Sequence, residues 1–290
     1  RFPHVMMIAE ESTSYPGVTA RVDEGGLGFG FKWNMGWMND SLRYIKREAI
    51  HRPWHHEEIT FGISNALTEN FVLPISHDEV VHRKSAMIGK PSGSDWDKWQ
   101  TLRAFYAYMW TFPGKKLLFM GQEFGQRREW NSATQLDWAL ETKRDHKGLS
   151  RLIRDLNLLY RQQGALFLSE RDPDNFLWLD VNAREENIFA WVRKPINGRG
   201  IPVVTIVNFA PIERKDWILP LPDRGFWNEV INTNAKIYGG TGSGNFGKVS
   251  ASDLPWHGQP YSTHVVVPAL SALIFIPCHA EDISNKNNVA

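Results

Sequence analysis

Apolar positions follow two rhythms along the 290 residues. Up to about residue 168, short apolar runs alternate with segments in which apolar residues recur every three or four positions. The runs at 3–9, 27–33, 70–76 and 116–121 predict strands, since apolar stretches of this length closed by turn formers suit strands buried on both faces. Helical patterns lie between and after them. Ser41–Arg47 follows Asp40, an N-cap candidate; Trp96–Phe112 is opened by Asp95 and stopped by Pro113-Gly114; and Leu149, Leu152, Ile153, Leu156, Leu159 and Tyr160 fall on one face of a helix over 149–163. Such β-α alternation predicts a parallel sheet with crossover helices. Beyond 168 the runs are shorter and split by turns such as Asp223-Arg224-Gly225. The stretches 176–179, 188–192, 202–208, 228–231, 263–268 and 272–277 predict an antiparallel β-sandwich. The expected fold class is α/β plus all-β, with domains at 1–168 and 169–290.

Four strands with crossovers amount to half of a (β/α)₈ barrel, a fold of about 250 residues. Half a barrel leaves bare parallel edges, so the expectation is the C-terminal half of the barrel, in a chain that continues upstream of Arg1. A complete flavodoxin-like sheet would instead require a Gly-rich phosphate turn after its first strand, where Glu10-Glu11-Ser12-Thr13 stands.

Charge narrows the choice of partner. With 33 basic and 32 acidic residues the net charge is +1, which gives no electrostatic footprint for nucleic acid or an anionic membrane. A neutral partner is expected. Cys278 is the lone cysteine, ruling out an internal disulfide and fitting a reducing compartment. No run approaches the roughly 18 apolar residues of a membrane span, and no signal-peptide pattern opens the sequence; the expected location is cytoplasmic. Tryptophan is the outlier at 13 residues, of which Trp33, Trp37, Trp54, Trp96, Trp99, Trp110, Trp130 and Trp138 precede residue 150. Singly they suit a core. As a set they suit sugar rings, whose faces are apolar and whose edges carry hydroxyls.

Candidate chemistry sits where two apolar runs end in acid. Val5–Ala9 runs into Glu10-Glu11, and Phe71–Ile75 into Ser76-His77-Asp78-Glu79. In a parallel barrel the C-terminal strand ends share one face, so Glu10 and Asp78 would look into one cleft. Paired carboxylates of differing environment are what glycoside chemistry uses; the plainer reading of either acid alone is a loop opener or helix cap. Other motifs fall away. Gly242–Lys248 has phosphate-loop spacing but Val249 follows, and Pro255 and Gly258 forbid a helix. His77 and His82 have the wrong spacing for a zinc-protease helix. His51, His55, His56 and Glu57 surround Pro53 and read as a loop. No metal and no cofactor are expected.

Five strings carry a family resemblance. They are Met7-Ile8-Ala9-Glu10-Glu11-Ser12-Thr13, the stretch Phe29 to Met38 with Lys32-Trp33-Asn34, Asn70 to His82 with Ser76-His77-Asp78-Glu79, Phe112 to Phe124, and Arg128-Glu129-Trp130-Asn131. The chain resembles the bacterial 1,4-α-glucan (glycogen) branching enzymes of the α-amylase superfamily over nearly its whole length. The resemblance implies barrel strands five to eight, followed by the C-terminal sandwich. It implies that Glu10 is the acid/base, Asp78 the stabiliser of the transition state, and His77 a binder of sugar hydroxyls. Glu11, Trp33, Asn34 and Glu79, from the same strings, are the further substrate-binding candidates. Glu10 is preferred to Glu11 because it directly follows the strand. The implied nucleophile, an aspartate in an Arg-x-Asp motif after strand four, would precede Arg1; Arg21-Val22-Asp23 sits in a Gly-rich loop and is rejected. The implied reaction is retaining: an α-1,4 link is cleaved and the chain transferred to a 6-hydroxyl. The partners would be α-glucan (glycogen, amylose) and the N-terminal half of the same enzyme, and the 290 residues alone would be inactive. A debranching or trehalose-releasing hydrolase and a non-catalytic glucan-binding fragment are the alternatives.

Overall fold

The computed structural model describes residues 4–197 and 200–278. Its first half is a four-stranded sheet of β1 (Ile8–Ala9), β2 (Phe31–Trp33), β3 (Phe71–Ile75) and β4 (Lys115–Leu118), in that order and with every neighbour parallel. All four C-terminal ends therefore open at one edge. A loop whose one regular piece is the 3-10 turn Val22–Glu24 joins β1 to β2, where a crossover helix was expected. Between β2 and β3 come α1 (Met35–Lys46) and the short α2 (Glu57–Thr60) and α3 (Gly62–Ala66). The helix α4 (Asp95–Thr111) links β3 to β4, and α5 (Arg144–Gln162) follows.

Caps decide where these helices start. Asn34, and not Asp40, caps α1: its Oδ1 accepts the Trp37 N–H at 2.9 Å, so the helix opens six residues before the expected Ser41. Ser94 caps α4, its hydroxyl accepting the Asp97 N–H while Asp97 accepts the Ser94 N–H in return. The helix α4 is buried nearly all round from Trp99 to Thr111, whereas α5 buries one stripe, Leu149, Leu152, Ile153, Leu156 and Leu159, as its periodicity predicts. The expected strand 3–9 pairs only at Ile8–Ala9; Val5, Met6 and Met7 are exposed, and Pro3 lies outside the described residues.

The second half is the expected antiparallel sandwich. Its strands are β5 (Phe176–Asp180), β6 (Ile188–Arg193), β7 (Val203–Asn208), β8 (Arg214–Leu221), β9 (Phe226–Asn232), β10 (Lys248–Ser250), β11 (Tyr261–Val267) and β12 (Ser271–Pro277). Six form one sheet in the order β10-β9-β12-β7-β6-β5, and β11 and β8 form the other. Leu219, Leu221, Val265 and Val267 pack on Ile188, Ala190, Val192, Val204, Ile206, Leu273 and Phe275 to close the sandwich. The alternate residues of the same strands, Phe189, Trp191, Val203, Val207, Ala272 and Ile274, join the core built by α1 and α4. The six-stranded sheet is thus apolar on both faces, and a single core runs from the helices of the parallel sheet into the sandwich. Buried Arg193 ties the joint, donating to Asn175 Oδ1 at 2.7 Å and to the carbonyl of Thr111, the last residue of α4, at 3.1 Å. Among the described residues no helix is long and apolar enough to cross a membrane.

Candidate active site

Glu10 and Glu11 part company at the end of β1. Side chains alternate across a strand: Ile8 and Glu10 are exposed on one side, while Ala9 is buried and Glu11 turns to the other. There Glu11 meets Lys32, the register partner of Ala9, with Nζ 2.6 Å from Oε2. The Lys32 ammonium, itself almost wholly buried, and the N–H of Thr13 hold the Glu11 carboxyl down to about 2 from its ordinary 4.5. The structure thus leaves Glu10 free at the strand end and ties Glu11 into the loop that follows. Because the folded state depresses the Glu11 pKa, its contribution to stability is complete above about pH 4.5 and is lost as the pH falls towards about 2. Thermal unfolding of Glu11→Gln should therefore begin below that of the parent at neutral pH, and the gap should close across this window.

A second turn presents Asp78. Ser76, which follows β3, caps the 3-10 turn His77–Glu79: its hydroxyl accepts the Asp78 N–H at 3.2 Å and donates to Glu79 Oε2 at 2.7 Å, and Glu79 Oε2 also takes the Ser76 N–H at 2.7 Å. Glu79 is buried by this task and shapes the turn. Asp78 and His77 emerge from it about half exposed, with His77 Nε2 3.3 Å from Asp78 Oδ1 and the imidazole 5.9 Å from the ring of Phe119 beyond β4. Asn34 is buried as the α1 cap. Trp33 is half-buried at the end of β2, one residue beyond Lys32 and therefore on the side of Glu10.

The segment behind Asp78 is held by a residue outside it, Glu129, that had no assigned role. His82, Arg83 and Ser85 adopt left-handed backbone angles, φ 57°, 65° and 68°, a conformation that costs non-glycine residues about 1–3 kcal/mol each and persists only where the surroundings impose it. Glu129 imposes it: its two oxygens accept the N–H groups of Arg83 at 3.0 Å and Ser85 at 2.8 Å. The next residue, Trp130, donates its N–H to Val80 O at 3.0 Å and meets Phe119 edge-on. Lys90, buried nearby, donates to Lys84 O at 2.8 Å, and burial lowers its pKa to about 8. Arg128-Glu129-Trp130-Asn131 stood out as a string, but a contact 46 residues away in sequence leaves no local signal.

A cavity of about 430 Å³ lies on the Glu11 side, lined by Tyr15, Lys32, Asn34 and Glu69 among others. Neither Glu10 nor Asp78 lines it, although Trp33 does. The tryptophans divide as well. Trp37, Trp99 and Trp110 are core, while Trp54, Trp96 and Trp138 are exposed. Lys248 in the phosphate-like loop begins a strand. Among the described residues no group of three or more His, Cys, Asp or Glu could hold a metal.

The sandwich that follows the parallel sheet is of a known class: residues 178–277 match the alpha amylase C-terminal all-beta domain. A pullulanase complexed with maltotetraose from Anoxybacillus sp. LM18-11 shares the fold at a TM-score of 0.64 and 15% identity, covering 95% of this chain and 40% of its own. The pullulanase from Bacillus acidopullulyticus does so at 0.64 and 17%, covering 94% and 34%. Sequence narrows the class. The 1,4-alpha-glucan branching enzymes of Roseobacter denitrificans, Agrobacterium fabrum and Aquifex aeolicus are 51%, 52% and 48% identical over 94%, 95% and 94% of the chain. Along nearly its whole length the chain is therefore similar to bacterial 1,4-alpha-glucan branching enzymes. It spans 37%, 37% and 43% of the lengths of those three relatives.

Proposed function

We propose that these residues form part of the active site of a glycogen branching enzyme, which cleaves α-1,4 links and transfers the released chain to a 6-hydroxyl with retention. The observation that carries this reading is the pair of strand ends: Glu10 stands exposed and Asp78 half-exposed at one edge of a parallel sheet, while Glu11 and Glu79 beside them are tied to Lys32 and Ser76. Glu10 protonates the leaving oxygen and later takes the proton of the attacking hydroxyl. Asp78, with His77 beside it, grips the distorted ring at the oxocarbenium-like centre.

In the whole protein the four-stranded sheet is the second half of a (β/α)₈ barrel within 1–168, and 169–290 is the sandwich domain. The N-terminal half supplies the nucleophilic aspartate and covers the exposed row Val5–Ile8 along β1. The substrate is a neutral α-glucan such as glycogen or amylose, met in the cytoplasm. The test is transfer by the whole protein on amylose. Loss of iodine staining with few new reducing ends and with new α-1,6 links supports the reading; reducing ends rising in step with the loss of staining would make the protein a hydrolase.

A further inference from the structure

The tip of the sandwich carries an aromatic plate. Trp256 and Gln259 exchange backbone hydrogen bonds at 3.0 and 2.9 Å across His257 (φ 44°) and Gly258 (φ 75°). Positive φ at both central positions is a two-residue hairpin turn, and a histidine there is uncommon. The turn lays the His257 ring along the Trp256 indole, with centroids 5.2 Å apart and planes 17° from parallel. His257 Nδ1 lies 3.0 Å from Leu179 O, which pins the tip to β5. Trp256 is 39% exposed, so the plate is presented to solvent.

The plate walls a cavity of about 390 Å³, within the ~300–1,000 Å³ range of small-ligand sites. Trp217 of β8 forms another wall, and its Nε1 is buried without a hydrogen-bond partner among the described residues. A buried unmade donor costs about 1–3 kcal/mol. Asp180, Asn182 and Glu186 complete the polar lining. A flat apolar face beside an unused N–H and carboxylate and amide groups matches a pyranose, which is apolar on its faces and hydroxylated at its edges.

We propose that this cavity is a second α-glucan binding site, with one sugar ring stacked on the Trp256–His257 plate and its hydroxyls turned towards Trp217 and the Asp180 and Glu186 carboxylates. It is remote from the acids. Asn187, next to Glu186, is hydrogen-bonded by Tyr44 OH and itself donates to Ala49 O, both near the C-terminal end of α1. The acids lie at the other end, where Asn34 caps the same helix. Twelve helical residues span about 18 Å, so the site would hold a long polymer while another part of it is cut. That the sugar is an α-glucan rests on the function proposed above; that a sugar ring fits rests on the cavity.

Affinity electrophoresis of the whole protein through gels containing amylopectin tests this with Trp256→Ala and Trp217→Phe, the second keeping a ring and the packing. Amylopectin affinity should fall about tenfold for Trp256→Ala and severalfold for Trp217→Phe, while transfer on a short maltooligosaccharide keeps its parental rate. Parental affinity in Trp217→Phe and in any folded Trp256→Ala overturns the site and leaves the branching assignment standing. Failure of the parent itself to bind amylopectin overturns the site, and failure to branch as well overturns the assignment.

Discussion

Glu10→Gln in the whole protein should lower chain transfer by about 10²–10⁴-fold, the usual worth of a positioned general acid and base, when followed as loss of iodine staining of amylose. The amide keeps the shape of the carboxyl but carries no proton to the leaving oxygen and takes none from the acceptor. Glu11→Gln is the control that gives the result its meaning. It neutralises the neighbouring acid, whose partner is Lys32 on the far side of the strand, so it should cost stability and leave most of the transfer rate. Full activity in Glu10→Gln, or a larger loss in Glu11→Gln, would move the acid/base role away from Glu10. The alternation of Ile8, Ala9, Glu10 and Glu11 across the strand makes the contrast sharp: adjacent carboxylates face different solvents, and only one faces the open strand ends.

That contrast was half legible in the sequence. A carboxylate close behind an apolar run is visible in one dimension, and that spacing is what singled out Glu10 and Asp78. The partner that removes Glu11 from the site was not visible, because a register contact between Lys32 and the β1 end depends on how β1 and β2 pair. Glu79 was also ambiguous: the same Ser-x-x-Glu spacing serves a ligand-facing acid and a capping box, and burial decides for the cap. Local periodicity placed α5 and the buried strands β6 and β7 because their neighbours lie on every side or along one clean stripe. It missed β8, which begins Arg214-Lys215-Asp216, contains Pro220, and pairs only with β11. An edge strand tolerates both the charges and the missing N–H. The start of α1 escaped because Met35-Gly36 carries little helical signal of its own, and the Asn34 side chain sets the boundary. The Glu129 clamp escaped for a different reason: nothing local distinguishes a glutamate that will accept two N–H groups from a distant strained loop.

Trp191→Ala should be the most destabilising single truncation, by about 3–5 kcal/mol, and should weaken both halves of the chain together. Trp191 is fully buried on the face of β6 that meets α4. It stands edge-on to Tyr108 of α4 at 5.9 Å and to Trp178 of β5 at 5.8 Å, lies near-parallel to Phe176 at 6.4 Å, and donates from Nε1 to Thr111 O at 3.4 Å. Removing it opens a void where the helices of the parallel sheet and the sandwich share one core. The arginine beside it, Arg193, loses packing while keeping a buried charge that depends on the same Thr111 carbonyl. Urea unfolding of the whole protein, followed by far-ultraviolet circular dichroism and by tryptophan fluorescence, checks this. The midpoints from the two probes should fall together in Trp191→Ala, whereas Trp54→Ala, at a position 64% exposed, should stay within about 0.5 kcal/mol of the parent. If the sandwich signal shifts alone and the helical signal keeps its midpoint, the two halves are energetically separate and the shared core is a contact without coupling. Coincident shifts would mean that the sandwich helps to hold α4, and through β3 and β4 the strand ends that carry the acids.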